Sequence, residues 1–177
     1  KNSDFNLLCL PSSNFPTFED KFEGEKIELD KKKFLSLLNK TKISISSDDT
    51  RHYLNGIYLH ATESNKNTFL TGVATDSHRL SSSSLLVENI KNFASIIIPR
   101  KTVFQLCSLL DNIDEKLTIQ ASANKIKFSL GKINLISKVI DGKFPDYQKV
   151  VPKENTKTLT VSSLDFINSV ERAASVH

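Results

Sequence analysis

The sequence contains no methionine and no tryptophan, and only two cysteines, five glycines and five prolines among its 177 residues. Cys9 and Cys107 lie far apart, with neither a CxxC pair nor a histidine at metal-ligand spacing, so neither a zinc site nor a disulfide framework is indicated, and a reducing cytoplasm is favoured. The scarcity of glycine and proline excludes collagen-like and low-complexity chains. Because a chain without methionine lacks an initiator, we expect it to be a fragment of a longer protein.

Long apolar runs are missing as well. The longest candidates, such as residues 96–98, last only a few residues, whereas a membrane span needs about 20. We therefore expect no contact with a membrane. Hydrophobic residues make up 38% and charged residues 25% of the chain, which is typical of a globular protein, and the net charge of +4 is compatible with nucleic acid without indicating it.

One pattern, a short strand followed directly by an amphipathic helix, occurs three times. Each helix carries apolar residues at helical spacing, and a residue suited to a helix start precedes it. The strands cover residues 26–29, 96–98 and 158–161, and the residues suited to a helix start are Asp30, Pro99 and Ser162 or Ser163. The apolar face of the first helix comprises Phe34, Leu35, Leu37 and Leu38, and that of the second Val103, Phe104, Leu106, Cys107, Leu109 and Leu110. The apolar face of the third comprises Leu164, Ile167, Val170 and Ala174.

A meander of three strands is predicted after each of the first two helices. This repeated order predicts an α+β fold in which one domain consists of two strand–helix–meander halves. We expect the helices to be adjacent and antiparallel on one face of antiparallel sheets. The meander strands cover residues 55–62, 69–74 and 80–87 in the first half and 117–121, 125–130 and 133–139 in the second, with short polar or glycine-containing turns between them.

A longer repeat encloses these halves. A Phe-Pro step stands before the first strand–helix unit, at Phe15, and another stands before the third, at Phe144. Proline halts a strand, so each step is typical of a domain exit. The repeat predicts the end of one domain at residues 1–24, a complete middle domain at 25–152 and the start of a third domain at 153–177.

The densest cluster of functional groups lies in residues 74–80. In an enzyme, Asp76, Ser77 and His78 would form a nucleophile–base–acid set, as in a hydrolase. However, neighbours on an extended segment point to alternate faces, whereas a catalytic triad needs side chains that converge from separate parts of the fold. No HExxH motif or glycine-rich phosphate loop supports catalysis. A polar turn between two strands is the simpler interpretation.

Three motifs resemble, in their order, the bacterial DNA sliding clamp, the beta subunit of the replicative DNA polymerase III. They are SDDTRHYLNG at residues 47–56, VATDSHRL at 73–80 and DGKFPDY at 141–147, with IPRK at 98–101 between the last two. The resemblance covers essentially the whole chain. It implies the DNA-clamp fold, three copies of one domain in each subunit, and a homodimeric ring. It also implies a non-catalytic processivity factor that needs no cofactor and encircles double-stranded DNA.

Basic residues at the helix starts are the candidates for contact with the DNA backbone. Cations there oppose the helix dipole, which costs about 0.3–1 kcal/mol each, and a bound phosphate would reverse that cost. A solvated lysine face is the alternative. In clamps these helices line the central hole, and an aromatic loop nearby touches the DNA, although in this sequence the loop could instead anchor the following strand. The candidate residues are Lys31, Lys32, Lys33, Arg100 and Lys101 at the helix starts, Lys40 and Lys42 at the exit of the first helix, and Arg51, His52 and Tyr53 in the loop.

The resemblance also implies a groove, at the junction of the second and third domains, for short hydrophobic motifs of partner proteins. The partners would be the catalytic subunit of the polymerase, the clamp loader and other polymerases or repair proteins. Three residues depart from the family pattern: Ser77 replaces a frequent glycine, Lys149 a common arginine, and His52 an aromatic residue. A nucleic-acid-binding module that forms no ring is a further alternative. The groove residues are Leu54, Thr75, Ser77, His78, Arg79, Leu80, Pro145, Lys149 and Val150.

Overall fold

In the computed structural model of the protein, residues 3–15, 22, 24–88, 90, 93–112 and 115–175 are described, and the chain divides into two units after Phe144. The first unit contains β1 (Lys26–Leu29), α1 (Lys31–Thr41), β2 (Gly56–Ser64), β3 (Asn67–Thr75), β4 (Leu80–Leu86), β5 (Ile96–Pro99), α2 (Arg100–Asn112), β6 (Leu117–Ala121), β7 (Lys125–Leu130) and β8 (Ile133–Lys138), with short 3-10 helices at Ser12–Asn14, Lys42–Ser44 and Asp49–Leu54. The second unit contains a 3-10 helix, Tyr147–Lys149, and α3 (Ser163–Ala174).

The strands of the first unit form two antiparallel sheets, ordered β1-β6-β7-β8 and β4-β3-β2-β5. Each sheet combines the meander of one half with the first strand of the other half. In the first sheet Leu29 of β1 lies opposite Leu117 of β6, and in the second Gly56 of β2 lies opposite Pro99 of β5. The predicted twofold order of the halves is therefore confirmed, and the halves exchange their first strands.

The two helices of the first unit contact each other and run antiparallel. Lys42, just after α1, places its Nζ 5.6 Å from the ring centroid of Phe104, near the start of α2. At the other end, Lys31 and Lys32 of α1 line a cleft together with Lys116, which follows α2. Because the helices are in contact and both pack on the sheet that contains β2–β5, they lie on one face of it, as predicted.

A single core joins the helices to both sheets. Phe34 of α1 is fully buried, and its ring centroid lies 6.3 Å from that of Phe128 on β7. On α2 the hydroxyl of Thr102 shares a hydrogen bond of 2.7 Å with the hydroxyl of Ser137 on β8. Since α1 also packs on β3 and β4, and α2 on β2 and β5, each helix holds the two sheets together.

An aromatic stack closes the end of the first unit. Tyr58 of β2 stacks on Phe144, with ring centroids 4.9 Å apart and planes 7° from parallel, and on its other neighbour, His60, at 4.6 Å. Burial lowers the pKa of His60, which favours the neutral ring in the stack. Phe144 is only 7% exposed, so the phenylalanine of the second Phe-Pro step is packed against the sheet.

Local signals fix the helix starts and one hairpin. The carboxylate of Asp30 accepts a hydrogen bond of 3.0 Å from the backbone N–H of Lys33, which confirms the predicted cap and lowers the pKa of Asp30. Ser162 caps α3 in the same way. Asn65 and Lys66 both have positive φ, as a two-residue hairpin turn requires, so β2 and β3 continue beyond their predicted ends.

Three sequence predictions differ from the structure. Residues 158–161 are exposed and form no strand, because no described strand lies beside them to complete a hydrogen-bonded ladder. Phe104, predicted for the apolar face of α2, is 45% exposed. The large apolar side chains of α3 are all more than half exposed. Pro16, in the first Phe-Pro step, lies outside the described residues. No helix in the described ranges is long and apolar enough to cross a membrane.

We expect Gly56→Ala to destabilise the first unit by about 1–3 kcal/mol, the usual cost of overpacking. A Cβ at this position would lie 2.2 Å from the carbonyl oxygen of Ile98, so β2 and β5 would have to separate. Urea denaturation followed by circular dichroism measures the free energy of unfolding. Ser82→Ala, at an exposed position of β4, is the control and should change it by less than about 0.5 kcal/mol. Equal stability of Gly56→Ala and the parent would contradict the close approach of the exchanged strand.

Candidate functional site

The loop before β2 is held in shape by one carboxylate. Asp48, which caps the 3-10 helix Asp49–Leu54, accepts hydrogen bonds from the hydroxyl of Thr50 at 2.7 Å and from its backbone N–H at 2.9 Å. Its other oxygen pairs with the guanidinium of Arg51 at 3.1 Å. The bonds from Thr50, followed by the one from Arg51, lower the pKa of Asp48 and keep it charged. The positive charge of Arg51 is therefore already paired within its own loop.

The two ring residues of this loop differ in exposure. His52 is exposed and Tyr53 is half-buried, and their rings meet edge to face with centroids 5.8 Å apart. Gly142 lies beside them, so close that a Cβ there would be 3.1 Å from the Cβ of Tyr53. Tyr53 is thus packed against the chain on one side, whereas most of His52 is exposed to solvent.

The turn between β3 and β4 is also organised by a carboxylate. Asp76 accepts hydrogen bonds of 3.0 Å from the backbone N–H groups of Arg79 and His78 and from the Nε of Arg79. These bonds, the one from the backbone of Arg79 first, lower the pKa of Asp76 to about 2. The carboxylate therefore forms hydrogen bonds with the backbone and with Arg79 rather than with the ring of His78. The hydroxyl of Ser77 in turn accepts from Arg51, so these three residues do not form the relay that a hydrolase requires.

A metal site is not apparent either. Within the described ranges, no three histidine, cysteine, aspartate or glutamate side chains are grouped so that they could hold a metal ion. Cys107 is buried, and burial raises the pKa of its thiol, which makes it a weak nucleophile. Cys9 is exposed.

A single hydrogen bond joins the two organised segments. The Nη1 of Arg51 donates to the hydroxyl of Ser77 at 2.6 Å, so the loop predicted to contact DNA touches the turn predicted to bind a peptide. Ser77 has a φ of +79°, in the left-handed region that favours glycine. This strain gives a physical reason for the glycine that is frequent at this position in the family that the sequence resembles.

The predicted groove residues fall into three settings. Thr75 and Leu80 are half-buried at the two ends of the β3–β4 turn, and Ser77, His78 and Arg79 are exposed between them. Leu54 is only 2% exposed and belongs to the interior of the first unit. The remaining residues belong to the second unit, where all three are exposed and Lys149 pairs with Asp146 at 3.0 Å; they are Pro145, Lys149 and Val150.

The structure separates the predicted basic residues into two groups. One group lies along α1, where Lys32 and Lys33 in the first turn and Lys40 in the last turn line a cleft beside β4. The other lies at the start of α2, where Arg100 and Lys101 line a second cleft. Because α1 has 11 residues and is about 16 Å long, antiparallel packing puts the two helix starts at opposite ends of the pair. The predicted basic surface is therefore divided between the two ends of the helix pair. Lys31 belongs to the first group and Lys42 to the second.

Sequence reasoning missed the role of Phe104. The Nζ of Lys42 and the Cζ of Arg100 each lie 5.6 Å from the centroid of its ring. The helical pattern predicts a core position for this phenylalanine because the pattern depends on hydrophobicity alone. The spacing of Arg100 and Phe104 was a usable signal, since residues four apart on a helix are neighbours on its surface.

Comparisons with known proteins point in one direction. A family model described as the central domain of the DNA polymerase III beta subunit matches residues 28–146. The beta sliding clamp of Caulobacter vibrioides is 38% identical over 175 residues, which cover 98% of this chain and 47% of that protein. The beta sliding clamp of Rickettsia felis is 37% identical over 179 residues, covering 98% and 46%. The chain therefore spans about half the length of these relatives.

Solved structures agree with the sequence relatives. The structure of Caulobacter crescentus pol III beta matches with a TM-score of 0.88 and 37% identity, covering 94% of this chain and 46% of that one. A sliding clamp from Bartonella birtlesii, bound to griselimycin, matches with a TM-score of 0.86 and 40% identity, covering 93% and 44%. The predicted combination of helices with antiparallel sheets is thereby confirmed.

We expect Ser77→Gly to be more stable than Ser77→Ala by about 1 kcal/mol, because only glycine adopts the left-handed conformation without a Cβ penalty. Both variants lack the hydroxyl that accepts from Arg51, so their difference isolates the backbone strain. Urea denaturation of the two variants measures it. Equal free energies of unfolding would show that the turn relaxes to an ordinary conformation in solution.

Proposed function

Because this chain belongs to the DNA polymerase III beta subunit family, the beta sliding clamps, we propose that it is part of a ring that encircles duplex DNA and tethers the replicative polymerase. In the proposed division, residues 1–24 end one domain, 25–152 form the middle domain and 153–177 begin a third. The match of the family model to residues 28–146 supports the middle portion. The protein would act without a cofactor, in the cytoplasm, as a homodimer of full-length subunits.

The mechanism is topological. A closed ring cannot leave DNA sideways, so its contacts with the duplex can be weak and still keep a polymerase in place. Contacts to phosphates carry no sequence information, which suits a protein that must slide. No step of bond breaking is required, and the absence of a Ser–His–Asp relay at residues 76–78 fits a non-catalytic role.

The main support for this proposal is that both helices of the antiparallel pair begin with basic residues. Arg100 and Lys101 open α2, and Lys31–Lys33 open α1, although cations oppose the dipole at both positions. Free N–H groups and side-chain cations at a helix start can bind one phosphate together. The exchange of the first strands between the halves would place two such sites on the same face, about one helix length apart.

The loop before β2 would add a contact beside the helices. His52 is exposed and available to stack on a base or to meet a phosphate, while Arg51 is held by Asp48 and Ser77. We therefore assign His52 the DNA contact and Arg51 the task of shaping the loop. Tyr53, half-buried, would contribute one edge of its ring.

The β3–β4 turn would form part of the site for partner motifs. Leu80 offers an apolar surface, and the exposed side chains of His78 and Arg79 offer a polar rim, a combination that suits a short hydrophobic peptide. Thr75 and Ser77 would line the same turn. For Leu54, Pro145, Lys149 and Val150 the resemblance alone implies a role in the groove. The partners would be the polymerase, the clamp loader and other proteins that carry such motifs.

Replacing Arg100 and Lys101 by glutamine in the full-length subunit should weaken DNA binding equally for all sequences. The log–log dependence of affinity on salt should flatten by about 0.9 for each phosphate that the variant no longer neutralises. Fluorescence anisotropy of labelled duplexes over a range of salt concentrations measures both quantities. Lys132→Gln, in the β7–β8 turn and therefore on neither helix, removes one positive charge and serves as the control. An unchanged affinity and salt dependence would show that Arg100 and Lys101 belong to a solvated face and do not contact DNA.

Leu80→Ala in the full-length subunit should weaken binding of a polymerase-derived linear-motif peptide about tenfold. The reason is that roughly 60 Å² of apolar surface would no longer be buried, at about 25 cal/mol per Å². Leu86→Ala, on the same strand and 55% exposed, is the matched control. Leu54→Ala is a poorer probe, because truncating a buried leucine costs about 2–5 kcal/mol of stability. Equal peptide affinity of Leu80→Ala and the parent, by anisotropy, would place the groove elsewhere.

A further inference from the structure

We propose that Phe104 is a positioning residue for DNA binding, whose exposed ring holds Lys42 and Arg100 ready for the phosphate backbone. The inference rests on the proposed function, since it takes the DNA duplex as the ligand. It adds a residue without charge to the interface and explains why two cations from different halves of the domain stand together there.

The geometry around the ring is specific. The Nζ of Lys42 and the Cζ of Arg100 are each 5.6 Å from the ring centroid, so they are at most about 11 Å, twice that distance, from each other. Lys42 is also fixed by a hydrogen bond of 2.6 Å from its Nζ to the Oδ1 of Asn39. The backbone N–H of Arg100 donates to the carbonyl of Asn55 at 2.9 Å, which fixes the start of α2. Phe104 is the partner that the two cations share.

The exposure of Phe104 needs an explanation that packing does not provide. Its neighbours on α2, Val103, Leu106 and Leu110, are fully buried, whereas Phe104 is 45% exposed. An aromatic face attracts a cation through its quadrupole, and both Lys42 and Arg100 lie within the roughly 6 Å at which that attraction counts. The ring thereby offsets the mutual repulsion of two like charges.

Holding the cations in advance should raise affinity for phosphates. Long Lys and Arg side chains lose rotamer freedom when they bind, and a side chain that is already ordered loses less. The number of phosphates bound does not change. The ring should therefore affect the affinity for DNA while leaving its salt dependence as it is, because the slope counts phosphates neutralised.

The test compares Phe104→Leu, Phe104→Tyr and the double variant Lys42→Gln/Arg100→Gln in the full-length subunit, by anisotropy with a labelled duplex. We expect Phe104→Leu to bind about fivefold more weakly, because it removes two exposed cation–π interactions, with an unchanged salt slope. Phe104→Tyr keeps the aromatic face and should bind like the parent. The double variant should lower both affinity and slope. Ile133→Ala, at an exposed apolar position of β8, is the control and should bind like the parent.

A second measurement needs no DNA. The ¹⁵N relaxation of the Arg100 side-chain Nε should report greater mobility in Phe104→Leu than in the parent or in Phe104→Tyr. The proposal is overturned if Phe104→Leu leaves the mobility of Arg100 unchanged. It is also overturned if Phe104→Leu binds DNA like the parent while the double variant binds weakly. Equal weakness of the tyrosine and leucine variants would overturn it too. If the double variant binds DNA like the parent, the assignment of these cations to DNA fails, even where the relaxation shows that the ring orders Arg100.

Discussion

The pairing of β1 with β6 and of β5 with β2 is the constraint on which the rest of the first unit depends. The first strand of each half belongs to the sheet that contains the meander of the other half, so each sheet needs residues from both halves. The helix that follows each exchanged strand must then begin where that strand ends, at Asp30 and at Pro99. The antiparallel helix pair and the opposite placing of its two basic ends follow from this exchange.

The same arrangement brings the candidate contacts for DNA and for peptides close to each other. β2 begins beside the exchanged strand β5, and the loop before β2 carries Arg51, which reaches the β3–β4 turn at Ser77. Two carboxylates, Asp48 and Asp76, hold these segments by binding backbone N–H groups. Their depressed pKa values are a consequence of building exposed loops with fixed shapes.

The elements of the first unit were predictable because their signals are local. Alternation and helical spacing located the strands and the helices, and the cap at Asp30 marked a helix start. The partners of the strands were not predictable, since alternation states only that a strand has two faces. For the same reason residues 158–161 have a strand pattern and no ladder. At the site, the basic helix starts were predictable from the sequence. The contacts of Phe104 were not, because Lys42 approaches its ring from another element.

Strand exchange also sets an order of events while the chain is being made. β1 is made before its partner β6, which cannot pair with it until residue 117 and those after it have left the ribosome. At about 5–20 residues per second, that interval lasts roughly 4–18 s. Throughout it β1 has no native partner strand, whereas α1 can already pack on β3 and β4 once residue 86 has been made. Until β6 pairs with it, the edge of β1 presents unpaired backbone groups, so the interval between the two strands is the period in which this part of the chain is most exposed to pairing with other strands.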